Sequence, residues 1–225
     1  AGGENRAGDE HADGALDPSE TEPDAGGADA IDGAARTIED AAADEEHFPS
    51  TIDPRIYHVK VILDWLGDIG GGRVLDVGCG KGRFARLVKE RHPAATVVAM
   101  DLAVSMLGYA DANLARTAGS MLDLPFAAGS FDGAYATESL EHAVDIERAV
   151  GEICRVVKPG GRIVVIDKNA AHWGKLKTPQ WEKWFHDEEL KKLLRRHCSH
   201  VESKPISYWE DVEPDGLFLA WLAVR

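Results

Sequence analysis

Apolar positions fall into two regimes along the chain. Before about Phe48, Ala and Gly are interspersed with Asp and Glu, and large apolar side chains are almost absent. From there on they cluster with clear periods. Ile56, Val59, Ile62, Leu63 and Leu66 recur at helical spacing after Asp53-Pro54, a proline suited to a first helical turn, and Gly67 fits a stop. Short apolar runs then alternate with amphipathic stretches. Strands are predicted at 73–77, 96–100, 133–137 and 162–166, and helices at 82–91, 103–115 and 146–157. The last of these helices closes on Lys158-Pro159-Gly160-Gly161. This rhythm predicts an α/β fold, a mostly parallel sheet with helices on both faces. The final quarter reads as a helix at 188–196 and strands at 200–206 and 217–224. About ten residues between those strands are too few for a helical crossover, so an antiparallel pair at the sheet edge is expected.

Charge sharpens the division. Residues 1–50 carry 15 Asp/Glu against 2 Lys/Arg, whereas residues 51–225 carry 24 against 23. The formal net charge of −14 thus belongs to the first segment. A stretch of this composition buries too little apolar surface to offset its ordering entropy, so residues 1–47 are expected to be an acidic disordered segment preceding a domain at 48–225. The near-neutral remainder lacks the basic footprint of a nucleic-acid binder, and no nucleic-acid partner is expected. Cys79, Cys154 and Cys198 are odd in number, far apart in sequence and form no C-x-x-C pair. That usage fits a reducing compartment, and a cytoplasmic location is expected. No apolar run reaches membrane-spanning length, and no basic region followed by an apolar stretch opens the sequence, so no stable membrane insertion is expected. The chain begins at Ala1 rather than Met, as a processed or excised chain does. No internal repeat is present.

Chemistry concentrates in two places. In Val74-Leu75-Asp76-Val77-Gly78-Cys79-Gly80-Lys81-Gly82 a buried strand ends in an acid and runs through alternate glycines into a helix. Open α/β sheets bind ligands at the carboxyl ends of their strands, and glycines allow positive φ and close backbone approach. Alone, such a loop is also compatible with an ordinary glycine turn. Asp101, 25 residues after Asp76, ends the next strand, where a carboxylate can accept two hydrogen bonds from a ribose diol or cap a helix. Together the two point to a nucleoside. The dinucleotide fingerprint is G-x-G-x-x-G, but here Arg83 stands where its third glycine belongs, which counts against a nicotinamide-dependent dehydrogenase. The Asp76 carboxylate would repel a pyrophosphate and suits a cationic ligand such as a sulfonium or an α-amino group. The second place is Thr137-Glu138-Ser139-Leu140-Glu141-His142. On a helical turn Glu138, Glu141 and His142 share one face. They can bind a divalent cation there, or His142 can act as a base on a substrate hydroxyl. Two further features have bland readings beside sharper ones. His172-Trp173, Trp181 and Trp184 wall a pocket or simply pack, and Lys191, Lys192, Arg195 and Arg196 form a solvated helix face or a contact for an anionic group.

These residues resemble the class I S-adenosylmethionine-dependent methyltransferases, of the methyltransferase domain 11 type. The resemblance rests on Asp76 to Gly82, the strand-end Asp101, Gly119-Ser120-Met121-Leu122-Asp123-Leu124-Pro125-Phe126, Phe131-Asp132 and Val156-Val157-Lys158-Pro159-Gly160-Gly161. It runs from about Tyr57 onward and specifies a superfamily rather than a substrate. It implies a Rossmann-like seven-stranded sheet whose last strand is antiparallel, with S-adenosyl-L-methionine as methyl donor. By position, Gly78, Cys79 and Gly80 would border the methionine part, Asp76 its amino group and Asp101 the ribose. Asp123 would face the adenine amino group with Met121 and Leu122 beside the ring, while Gly82, Leu102 and Thr137 complete the implied cofactor set. Phe126 is expected in the core. E-x-x-E-H is similar to the metal-binding stretch of ubiquinone-pathway O-methyltransferases and of small-RNA 2′-O-methyltransferases. Thr178-Pro179-Gln180-Trp181-Glu182-Lys183-Trp184-Phe185 resembles the quinone branch too, but that branch has a His where Pro179 stands, leaving His172 or His186 to replace it. In metal-free relatives the Glu-His pair lines the pocket instead. The expected function is methyl transfer to a small-molecule acceptor, a hydroxyl above all, with His142 and Glu138 as catalytic residues and a divalent cation held by Glu138, Glu141 and His142. The alternatives are an RNA 2′-O-methyltransferase, which the charge disfavours, and a catalytically silent cofactor-binding module.

Overall fold

Near-continuous apolar runs in the central strands dictate a sheet buried on both sides. In a computed structural model that describes residues 44–46 and 49–225, the elements in chain order are α1 (Tyr57–Leu66), β1 (Arg73–Val77), α2 (Arg83–Arg91), β2 (Thr96–Asp101), α3 (Val104–Leu107), β3 (Ala115–Ala118), β4 (Phe131–Thr137), α4 (Ile146–Val156), β5 (Val157–Lys168), α5 (Asp187–Leu194), β6 (His200–Ile206) and β7 (Phe218–Val224). The expectation for residues 1–47 falls, apart from Asp44 to Glu46, outside the described residues. The sheet order is β3-β2-β1-β4-β5-β7-β6. β1 to β5 pair in parallel, and β7 is antiparallel to both its neighbours. Successive side chains serve opposite faces. Val97 and Ala99 of β2, with Phe218, Ala220 and Leu222 of β7, pack under α1, α2 and α3. Val98 and Met100, with Leu219, Trp221 and Ala223, pack under α4 and α5.

This is the Rossmann-like seven-stranded architecture expected, and the C-terminal pair is antiparallel. The two strands pair along their length and close one side of the sheet as expected, with β7 against β5 and β6 outermost. The helix expected at 103–115 shrinks to Val104–Leu107, because a turn closed by Leu114 N–H on the Asp111 carbonyl (3.0 Å) leads into β3. β3 escaped the sequence pattern, since Ala115–Ala118 is a short, largely exposed edge strand with no apolar run. β5 starts earlier than expected, at Val157, directly from α4. The thiols of Cys154 and Cys198, distant in sequence, meet in the core with Sγ atoms 3.7 Å apart.

The basic stretch on and after α5 is a solvated, paired face. Lys191 bridges to Asp187 (2.7 Å) and Glu188 (2.9 Å), Arg195 to Glu188 (3.3 Å), and Arg196 to Glu147. Among the described residues no helix is long and apolar enough to cross a membrane. The connection from β1 runs to β2 on one side, while β4 pairs on its other side, so the strand order reverses at β1. A crevice opens outside strand tips at such a reversal.

Candidate functional site

A cavity of about 550 Å³ lies at these tips, a size suited to a small-molecule ligand. Its first half is mostly backbone. Gly78 and Cys79 donate their N–H groups to the Met100 carbonyl (2.8 and 2.9 Å), tying the glycine loop to β2. Asp101 then fixes the next turn: Oδ2 accepts from Gly80 N–H (2.7 Å) and Oδ1 from Ala103 N–H (2.8 Å). Gly78 and Gly80 adopt φ of 72° and 54°. A Cβ on Gly78 would come within 2.6 Å of Ser139 Cβ, whereas one on Gly80 would meet nothing within 4 Å. Gly80 therefore leaves its face of the loop open for a ligand.

Asp76 is buried in the cavity wall, and burial pushes its carboxyl up to about 7. The nearby Tyr135 hydroxyl offsets part of that shift, and Asp101 adds repulsion. Still, neither Asp76 Oδ2 nor the Tyr135 hydroxyl completes a hydrogen bond of ordinary geometry. Asp76 Oδ2 is thus sealed from water with the Tyr135 hydroxyl beside it but imperfectly aligned, in a residue that lines the cavity.

The second half is built from side chains. Glu138 has φ 49°, and it is the only non-glycine residue with positive φ among the described residues. Such backbone is held in place by its surroundings and gathers at functional sites. Its Oε1 lies 3.6 Å from Arg83 Nη2 and 3.9 Å from His58 Nε2, yet has no hydrogen-bond partner. Burial raises the Glu138 carboxyl, with Arg83 and Lys168 pulling the other way. A single 3-10 turn, Leu140–His142, follows. Glu141 is buried there, and Lys168 Nζ donates to both its oxygens (2.8 and 2.7 Å) while standing 3.1 Å from Glu182 Oε1. Asp167, wholly buried, accepts the Glu141 N–H on Oδ2 (3.2 Å), and burial beside Glu141 holds its carboxyl well above the usual carboxylate range. His142 is half-exposed, tilts on the Trp181 ring at 5.3 Å and has Nε2 3.7 Å from Glu141 Oε1.

The shared helical face expected for Glu138, Glu141 and His142 does not form. The left-handed turn at Glu138 breaks the helix, so its carboxylate faces His58 and Arg83, that of Glu141 faces Lys168, and His142 leans on Trp181. These residues do not fit a divalent cation, because an ammonium already bonds both oxygens of Glu141 and sits against Glu182. Among the described residues no His/Cys/Asp/Glu group could hold a metal. His172, against Gly216, and His186, capping α5, are not in the cavity wall.

Of the implied cofactor residues, Asp76, Gly78, Cys79, Gly80, Asp101, Leu102, Met121, Leu122 and Thr137 line the cavity. Two do not. Asp123 is exposed and outside the wall, in a tight turn where its N–H reaches the Ser120 carbonyl (3.1 Å). Gly82, φ 75°, caps α2 against Ala110 and Leu114. Phe126 packs edge-on to Phe131 as expected (4.9 Å). Trp184 is buried, while Trp173 and Trp181 are largely exposed.

Sequence reasoning missed Lys81, Arg83, His58, Lys168 and Glu182. Lys81 stands within the glycine loop, which is a signal; Lys168 and His58 carry none. Lys81 Nζ bonds Glu45 Oε1 (2.7 Å) and the Asp44 carbonyl (3.1 Å), and lies over the Tyr109 ring (4.7 Å). Lys81 and the Ser50 amide hold the Glu45 carboxyl down at about 2.

Residues 75–165 match the methyltransferase domain family model. The chain is 37% identical over 116 residues to the O-methyltransferase rstn1 of Aspergillus nomiae, covering 48% of this chain and 52% of that protein. It is 35% identical over 115 residues to the ubiquinone/menaquinone biosynthesis C-methyltransferase UbiE of Dinoroseobacter shibae, covering 47% and 46%. It thus spans about half the length of the curated relatives it matches. Among solved structures, it superposes on Haemonchus contortus phosphoethanolamine N-methyltransferase 2 in complex with S-adenosyl-L-methionine. The TM-score is 0.67 at 18% identity, covering 88% of this chain and 59% of that one, a likeness of fold.

Proposed function

We propose that this chain, a class I S-adenosylmethionine-dependent methyltransferase by its domain and fold, moves a methyl group to the hydroxyl of a small-molecule acceptor. One observation carries the reading: a single cavity joins an open glycine loop and a buried carboxylate to a second set of proton-accepting groups. At the first end, Asp76 would receive the α-amino group of S-adenosylmethionine, and Asp101 the ribose hydroxyls. Gly78, Cys79 and Gly80 would lie along the methionine part, with Leu102, Met121, Leu122 and Thr137 around the rest. When bound, the sulfonium supplies a methyl group already activated for displacement. The protein's task is then alignment, which alone can supply several kcal/mol of the barrier. Glu138 and His142 stand at the other end as the groups able to take the acceptor's proton. The O-methyltransferase named among the relatives supports an oxygen acceptor.

The test is in two stages. Calorimetry with S-adenosylhomocysteine should show saturable binding that Asp101→Ala weakens. A labelled-methyl screen over phenols and alcohols should then return a methyl ether whose label is released as methyl iodide by hot hydriodic acid. No binding at saturating S-adenosylhomocysteine would remove the cofactor assignment, and a carbon-bound label would remove the hydroxyl.

A further inference from the structure

We propose that Glu138 is the group that takes the acceptor's proton, and that His58, buried beneath it on α1, is the residue that positions its carboxylate. The inference rests on the reading just given and adds to it a residue outside the cavity wall.

Glu138 is turned into the cavity by backbone that side chains rarely adopt, and its Oε1 is sealed from water without a partner. His58 is wholly buried, and neither of its ring nitrogens has a partner. Two orphaned polar groups, 3.9 Å apart, face each other across α1 and the end of β4. Buried polar atoms are almost always paired, so this double vacancy calls for a reason. Catalytic hydrogen bonds are commonly long in an empty site and tighten once it fills. An inward tilt of Glu138 as the cavity fills would close the gap.

The surroundings decide the role of the imidazole. It is boxed by Phe84 (6.4 Å, stacked), Tyr208 (5.4 Å, edge-on) and Phe218 (5.1 Å, edge-on). Burial, reinforced by the Arg83 charge, lowers the pKa of His58 to about 3. It is therefore neutral and not itself the base, and in the proposed role the ring proton sits on Nε2, the nitrogen that faces Oε1. The charged and titratable groups acting on Glu138 are His58 on α1, Arg83 on α2, Lys168 at the end of β5, Glu141 in the 3-10 turn, Glu182 before α5, and Tyr208 before β7. His142 is less suited, being half open to water and beside a carboxylate already bound by Lys168.

The step balances. The acceptor oxygen bonds the methyl carbon as the carbon–sulfur bond breaks, its electron pair staying on sulfur. The hydroxyl proton passes to the Glu138 carboxylate, giving a neutral acid, a thioether and an ether. A positive and a negative charge disappear together, which a poorly solvated cavity favours.

The test uses the intact protein saturated with S-adenosylhomocysteine, so a failure of the cofactor reading shows first as absent binding. Carboxyl 13C signals of labelled glutamate, with Glu138 assigned by its loss in Glu138→Gln, report its titration. In His58→Phe, which keeps the aromatic box but removes the donor, Glu138 should titrate about one pH unit higher, and His58→Gln should return it toward wild type. An unchanged titration in His58→Phe overturns the positioning role. Should that variant not fold, 15N shifts of His58 in the wild-type complex carry the test: a neutral Nε2–H ring supports it, and an Nδ1–H ring overturns it. Turnover of the hydroxyl acceptor returned by the screen should fall at least about 100-fold in Glu138→Gln with S-adenosylhomocysteine affinity kept. Wild-type turnover there would overturn Glu138 as the base.

Discussion

The two ends of the cavity are made by opposite means. The donor end comes from one stretch, Asp76 to Asp101, in which main-chain groups of the glycine loop are tied to β2 and to a strand-end carboxylate. The proposed acceptor end draws on side chains far apart in sequence, with Arg83, Glu138, Glu141 and Glu182 in the wall and His58 and Lys168 behind it. A main-chain cradle tolerates drift in its side chains, whereas a knot of ion pairs changes character with each substitution. On the proposed function one fold can thereby keep its donor while the acceptor changes, and proteins similar to this chain are named an O-methyltransferase and a C-methyltransferase.

Four perturbations put this contrast to the test. Lys168→Met should have the largest effect, because it strands Glu141 and Glu182 without their shared cation. A loss of about 3–5 kcal/mol in urea unfolding is expected, partly recovered by adding Glu141→Gln. An unaltered midpoint would mean that the acceptor end does not depend on the pair. Next, Asp101→Ala should weaken S-adenosylhomocysteine binding by about 1–3 kcal/mol, read by calorimetry. Smaller again, Gly80→Ala and Gly82→Ala should each cost about 1–2 kcal/mol of stability, since both glycines are left-handed. Only Gly80→Ala, whose new methyl faces open space at the loop, should also cut affinity more than the stability change explains. Equal affinity losses would erase the distinction. Last is a titration. The raised Asp76 carboxyl keeps its proton in the folded protein where an unfolded chain has lost it, so Asp76 erodes stability as pH climbs from about 4 to about 7. A bound ammonium demands the carboxylate. Binding near pH 6 should therefore release up to one proton and near pH 8 almost none, by calorimetry in buffers of differing ionisation enthalpy.

The same contrast explains what could be read from residue order alone. Val74, Leu75 and Val77 declare a strand and the following glycines a turn, because the forces involved act over a few residues. β6 was legible for the same reason. β3 was not, since Ala115–Ala118 is held by pairing with β2 rather than by its own composition. The acidic residues of the second constellation were found, but their grouping was misjudged. Nothing in E-x-x-E-H says that its first residue is left-handed, or that Lys168, 27 positions away, occupies the space a cation would need. Asp123 differs again: its motif position was legible, whereas the turn to Ser120 that leaves it exposed outside the cavity wall was not.

The placement of β7 also bears on how the chain reaches its folded form. The seventh strand in sequence is wedged between the fifth and sixth, so during synthesis β5 waits with one row of amides and carbonyls bare. Until Phe218–Val224 leaves the ribosome, that row and the apolar face around Ile163 and Val165 are open to any other nascent strand. Chaperone dependence and aggregation of stalled chains should therefore peak just before this segment emerges and drop once it has docked.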